Sequence, residues 1–142
     1  MSSARPATEQ DLNWIIGFDR GDLGEELARL FLKRGQLFVG ELDGRPAGLL
    51  RLDYFNLRFP IVGEIQVSKL AEAEHSAVAA ALLMACEGAL LEKGERYLLA
   101  TTPADTLLGQ AWFEERGFAL WGRMKDIDGD GREELVFRKT LG

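Results

Sequence analysis

Ile61-Val-Gly-Glu-Ile-Gln-Val67 and Tyr97-Leu-Leu-Ala-Thr101 are two compact apolar runs with one long helical pattern between them. Val78, Leu82, Ala85, Ala89 and Leu90 recur at helical spacing from about Glu72 to Lys93, and Gly94 is placed to stop that helix. Strand, long helix, strand is the unit that closes as a right-handed parallel crossover. The Tyr97–Thr101 run has no alternation, which suits a buried central strand, and Pro103 breaks it.

Working outward toward the N-terminus, Leu37–Leu42 and Ala47–Phe55 flank Asp43-Gly44, a strong hairpin signal. Two helices are expected before it. The first follows Thr8, an N-cap with first-turn acids Glu9 and Asp11, and turns Leu12, Ile15 and Ile16 to one side. The second runs from about Leu23 to Lys33 with Leu23, Leu27, Leu30 and Phe31 inward, and stops at Gly35. Arg5-Pro6-Ala7 reads as a short first strand. Toward the C-terminus, Asp105 or Thr106 can cap a helix through Arg116 with Leu107, Leu108, Ala111 and Trp112 inward, and Gly117 ends it. Phe118–Ile127 and Glu134–Thr140 then form a last hairpin around Gly129–Gly131. The expected order is β α α β β β α β α β β. It implies one domain over residues 1–142 of mixed α/β class, a central mixed sheet with helices on both faces.

The bulk composition narrows the functional classes. The chain has 142 residues, 46% hydrophobic and 28% charged, enough for a core without disulfides or a structural metal. Cys86 has no intrachain partner, and one cysteine with one histidine makes no zinc site, so no metal is expected; a lone cysteine suits a reducing cytoplasm. The net charge of −6 argues against generic binding to nucleic acid. No apolar run approaches the roughly 20 residues of a membrane span, and Met1–Pro6 carries no apolar stretch of signal type.

Four segments resemble the GNAT superfamily of acyl-CoA N-acyltransferases: Arg5–Leu12, its first strand and turn; Val39–Gly48, its first hairpin; Leu82-Leu83 with Gly94 twelve residues after Leu82, its third helix; and Trp112–Phe118, its fourth helix and following Gly-Phe. The resemblance implies the GNAT-like fold and the transfer of an acetyl group from acetyl-CoA to a primary amine. It also implies a cofactor loop of the form Arg/Gln-x-x-Gly-x-Gly/Ala before the third helix. Small residues there let the backbone approach a pyrophosphate, and amides at the helix start donate to it. The matching stretch here is Glu74-His75-Ser76-Ala77-Val78-Ala79, and the segment between Val67 and it is about two residues longer than usual. By this resemblance Val67, Ser68, His75, Ser76, Ala77, Val78, Ala79 and Phe113 would contact acetyl-CoA. Glu74 replaces the family's Arg or Gln, and Ala77 replaces Gly. Acids at Glu72 and Glu74 favour the helix start by roughly 0.3–1 kcal/mol each but compete with a diphosphate, while Lys69 and Ser76 offset them in part.

The transfer itself needs a base for the ammonium proton and donors for the thioester oxygen. Glu64 lies on the strand that in the family faces the acyl group and is the candidate base; Glu64, Gln66 and Ser68 share one face, which would otherwise be a solvated strand face. Many family members have a tyrosine as general acid where this chain has Phe113, a ring that donates no proton. Phe113 is either a cofactor-packing or a core ring. His75 is either a phosphate ligand or a surface residue. Cys86, mid-helix, reads as a buried small hydrophobe. Asp126-Ile-Asp-Gly-Asp-Gly131 imitates the start of a calcium loop but has Phe137 where that loop needs a bidentate Glu, so it reads as a hairpin turn. The aromatic-rich connection Tyr54–Phe59 would border the acceptor site of a small-molecule or peptide amine, or pack in a homodimer interface. Together, Glu74, Ala77 and Phe113 leave a second reading open: a GNAT-fold binding or regulatory module without turnover.

Overall fold

The computed structural model describes residues 1–19, 23–105, 107–126 and 129–142, with the side chains at 70, 72, 107 and 108 outside that description. The expected cap at Thr106, the inward Leu107 and Leu108, the Glu72 carboxylate and the strand end at Ile127 therefore fall outside the described residues.

The elements are β1 (Ser2–Pro6), a 3-10 turn (Glu9–Asp11), α1 (Leu12–Phe18), α2 (Glu25–Lys33), β2 (Leu37–Leu42), β3 (Arg45–Phe55), β4 (Phe59–Val67), a 3-10 stretch (Lys69–Glu74), α3 (His75–Glu92), β5 (Tyr97–Pro103), α4 (Leu107–Glu115), β6 (Ala119–Lys125) and β7 (Glu133–Thr140). The order of helices and strands is the one expected from the sequence. The strands form a seven-stranded sheet in the order β1-β2-β3-β4-β5-β7-β6. It is mixed: β4 and β5 are parallel at Ile61–Leu99 and Val62–Ala100, whereas β1–β2, β2–β3, β5–β7 and β6–β7 are antiparallel. The residues group into two compact units, Met1–Leu52 with Gly63–Ala89, and Asp53–Val62 with Leu90–Gly142.

In the first unit, the Asp43-Gly44 turn has both residues at positive φ (52° and 79°), the geometry that matches the twist of paired strands. Alternation along the hairpin then sorts its side chains. Leu37, Val39 and Leu49 join Leu12, Ile15, Leu23 and Ala28 in one buried cluster. The opposite side carries Gly40 and Gly48, which are register partners. Val78 Cγ1 of α3 lies 2.9 Å from where a Cβ would sit on either glycine, with Leu82 next to it. The helix is this close to the sheet because those two positions have no side chain. At Gly48 the added atom would also meet the Gln66 carbonyl oxygen at 3.0 Å, and neither neighbour is a flexible side-chain end. We expect Gly48→Ala to cost about 1–3 kcal/mol by overpacking, read as a lower urea midpoint. An unchanged midpoint would mean that α3 retreats freely.

The structure departs from several sequence expectations. The inward side of α2 is Ala28 with Phe31 and Leu32, while Leu27 and Leu30 are each 42% exposed. The helix begins at Glu25 rather than Leu23, so Leu23 lies outside its phase, and small Ala28 at the centre of the i, i+3, i+4 set lets the helix approach closely. Helix α3 begins at His75, not near Glu72, because the preceding residues form the 3-10 stretch with a non-helical kink at Ala71. Its 18 residues are long and apolar enough to cross a membrane by length and composition, contrary to the sequence expectation. The same composition serves a core helix: Val78, Ala79, Leu82, Leu83, Cys86 and Leu90 are buried. In α4, Ala111 is exposed rather than inward, and Phe113 and Trp112 are half-buried.

Two local networks hold the β1–α1 connection and the β6–β7 turn. Arg5 donates from Nη1 and Nη2 to both oxygens of buried Asp11 (2.7 and 2.8 Å), and Thr8 N–H donates to Asp11 Oδ2 at 2.7 Å. The hydrogen bonds from Arg5 hold the Asp11 carboxyl below the usual carboxylate range. A depressed folded-state value stabilises the fold above the unfolded value, near pH 4, and that contribution is lost as pH falls through the folded value. We expect Asp11→Asn to be less stable than wild type at neutral pH, with the gap in denaturation midpoint narrowing on acidification. In the second network, Asp126 Oδ1 accepts Gly131 N–H and Asp130 Oδ1 accepts Arg132 N–H, so these acids serve the β6–β7 turn.

Candidate cofactor and acyl-transfer site

Strand β4 delivers most of the candidate residues. Its last residue, Val67, leads to Ser68, whose N–H donates to the Ala47 carbonyl at 2.7 Å. Ala71 N–H then donates to the Ser68 carbonyl at 3.0 Å and opens the 3-10 stretch. The two extra residues noted in the sequence are absorbed by this stretch, which carries the chain from the end of β4 to the start of α3. Val67, Ser68, Lys69 and His75 line a pocket of about 390 Å³. Glu74, His75, Ser76 and Ala77 are all exposed, so the first turn of α3 faces solvent.

The predicted cofactor residues divide at this point. Ser76 and Ala77 present an open surface beside the pocket. Val78 and Ala79 are buried, and Val78 is pressed onto Gly40 and Gly48; as the fourth and fifth residues of α3 their amides bond within the helix, so neither offers a donor to a ligand. Phe113 belongs to the second unit. Its ring lies 5.2 Å from that of Phe118 and 5.9 Å from that of Phe137, with Trp112 edge-on at 5.3 Å. That is aromatic packing with no proton to give.

Glu64 is half-buried, and its Oε2 lies 3.4 Å from Arg51 Nη1. A proton moved onto Glu64 would weaken that ion pair. Two places further along the same face, Gln66 donates from Nε2 to Asp19 Oδ1 at 3.1 Å. Asp19 is the C-cap of α1, is buried, and also accepts the Leu23 N–H on Oδ2 at 2.7 Å. Sequence reasoning placed Gln66 on the Glu64 face but passed over Asp19 and Arg51. An aspartate directly after an apolar helix end was the available signal for Asp19; the Arg51 contact depends on strand pairing that no local pattern states.

No family model and no curated protein sequence matches the chain. Its structure, however, has many full-length counterparts. An acetyltransferase of the GNAT family from Bacillus cereus aligns over 100% of this chain and 99% of its own, with a TM-score of 0.78 and 20% identity. An N-acetyltransferase from Staphylococcus aureus gives 0.78 at 17% identity over 100% and 99% of the two chains. The ribosomal-protein-alanine N-acetyltransferase from Brucella melitensis gives 0.78 at 19% over 97% and 99%. The chain has the GNAT acetyltransferase fold. On that fold the long helix and the strand before it meet at the pocket described above.

The donor set of the pocket is compatible with a diphosphate. Lys69 supplies a cation, His75 a ring N–H, and the exposed first turn of α3 its amides. Glu74 is the opposing charge. The methyl of Ala77 is exposed and so narrows the approach without closing it.

Proposed function

We propose that this chain is an N-acetyltransferase that moves an acetyl group from acetyl-CoA to a primary amine. The observation that carries the reading is the pocket of Val67, Ser68, Lys69 and His75 between the end of β4 and the start of α3, on a GNAT fold. Lys69, His75 and the amides at the start of α3 would hold the diphosphate. Acetyl-CoA, when bound, supplies the activated thioester. Glu64 accepts the ammonium proton of the acceptor, directly or through water. Val67 and Ser68 line the same pocket, and because the Ser68 N–H is already given to the Ala47 carbonyl, donors for the thioester oxygen would come from elsewhere. With Phe113 in place of a hydroxyl-bearing ring, the thiolate leaves without a proton from that position. An acidic chain of net charge −6 suits a cationic acceptor.

A thiol-release assay with acetyl-CoA and a panel of primary amines tests this. The reading predicts release that depends on at least one amine and is absent with the matching alcohols. No amine-dependent release, with acetyl-CoA still bound, would favour a second reading, a binding module without turnover. That alternative is supported by the packing of Phe113 against Phe118 and Phe137 and by Glu74 beside the pocket.

A further inference from the structure

The hydrogen bond between Gln66 and Asp19 fixes which way the Gln66 carboxamide points. A carboxylate accepts and does not donate. With Asp19 Oδ2 taking the Leu23 N–H, Oδ1 takes the Gln66 Nε2, and the Gln66 Oε1 must face away from Asp19. Among the described residues no donor reaches that oxygen, and none of their buried side-chain oxygens lacks a partner, so Oε1 keeps some contact with solvent. The negative charge behind the amide strengthens Oε1 as an acceptor through the shared group.

Glu64 stands two residues earlier on the same face of β4 and is half-buried like Gln66. Residues two apart on a strand are about 6.6 Å apart, and an ammonium nitrogen reaches acceptors at about 2.8 Å on each side. Two side chains leaning toward each other can therefore hold one ammonium between them.

We propose that Gln66, oriented by Asp19, is a specificity-determining residue that seats the acceptor's ammonium group together with Glu64. The proposal rests on the acetyltransferase reading for its biological meaning, but the seat is a property of the first unit alone. Gln66 contacts the amine; Asp19 is a positioning residue that acts through it. The occupant is a primary or secondary ammonium with at least two hydrogens to donate, so a quaternary ammonium or a neutral alcohol of the same shape is refused.

Nuclear magnetic resonance on the full, ¹⁵N-labelled chain tests the seat with n-butylammonium as the probe and n-butanol as its neutral counterpart. The expected result is a saturable shift of the Gln66 side-chain amide with n-butylammonium and none with n-butanol. Gln66→Met should weaken n-butylammonium binding by about tenfold, the loss of one hydrogen bond to a charged group. Asp19→Asn, which allows the amide to turn over, should weaken it less while leaving Gln66 in place. If Asp19→Asn does not fold, Gln66→Met alone decides, because it leaves the Leu23 contact of Asp19 intact. Equal shifts with the alcohol, no shift with the ammonium, or unchanged affinity in Gln66→Met would overturn the proposal. The thermal response to acetyl-CoA, followed on the same variants, reports separately on the cofactor reading and should not move.

Discussion

Glu64→Gln is expected to lower amine-dependent thiol release at least tenfold while leaving the affinity for acetyl-CoA unchanged. A positioned general base contributes about 10²–10⁴ in rate, and an amide of the same shape takes no proton. The expected floor is set below that range because an amine can lose its proton to water before it binds. Glu64 also holds Arg51 at 3.4 Å, so the substitution removes an ion pair as well as a base. Arg51→Met separates the two effects. It removes the pair and keeps the base, and should leave most of the rate in place. A Glu64→Gln rate equal to wild type at every pH in the neutral range would take Glu64 out of the mechanism.

Charge changes beside the pocket should move cofactor affinity in opposite directions. Lys69→Glu is expected to weaken acetyl-CoA binding by about tenfold, since losing a bond to a charged group costs about 1.5–3 kcal/mol and 1.4 kcal/mol is a factor of ten. Glu74→Gln removes the opposing carboxylate and should tighten binding about threefold, within the 0.3–1 kcal/mol typical of a charge at a helix start. Both side chains are exposed, so neither substitution disturbs the core, and both effects should shrink at high salt. Unchanged affinity in both variants would show that the diphosphate is held elsewhere.

Much of this architecture was legible because each element carried its own local signal. Asp43-Gly44 fixed the first hairpin, Gly94 and Gly117 ended α3 and α4, and the crossover between β4 and β5 followed from one helix between two apolar runs. Tyr54–Phe59 was legible in part. Tyr54 and Phe55 close β3 as the Ala47–Phe55 strand expectation has it, whereas Phe59 opens β4 ahead of the expected start at Ile61, with a tight turn at Asn56 and Leu57. Both have positive φ (53° and 59°), and a leucine is a residue from which no such turn is read. The start of α3 was misplaced because a 3-10 stretch and an α-helix use the same residue types. The inward face of α2 is not marked by its leucines: small Ala28 is buried where the helix meets the sheet while Leu27 and Leu30 stay exposed.

The candidate site was legible only where it follows the chain. Val67, Ser68 and His75 are within nine residues of one another and come together in one pocket. The partners of Glu64 and Gln66 are 13 and 47 residues away, and strand register and helix placement bring them close. Such pairs leave no periodicity to read. Phe113 is a third case. Its identity already excluded a proton donor, and only its neighbours Phe118 and Phe137 show what the ring does instead.

The central claim is that the end of β4 and the start of α3 receive a diphosphate-bearing thioester. Calorimetric titration of the wild-type chain with acetyl-CoA tests it most directly. Saturable, one-to-one binding that weakens with added salt and is reduced in Lys69→Glu is the expected result. The absence of binding heat up to millimolar ligand, with the chain folded, would contradict it.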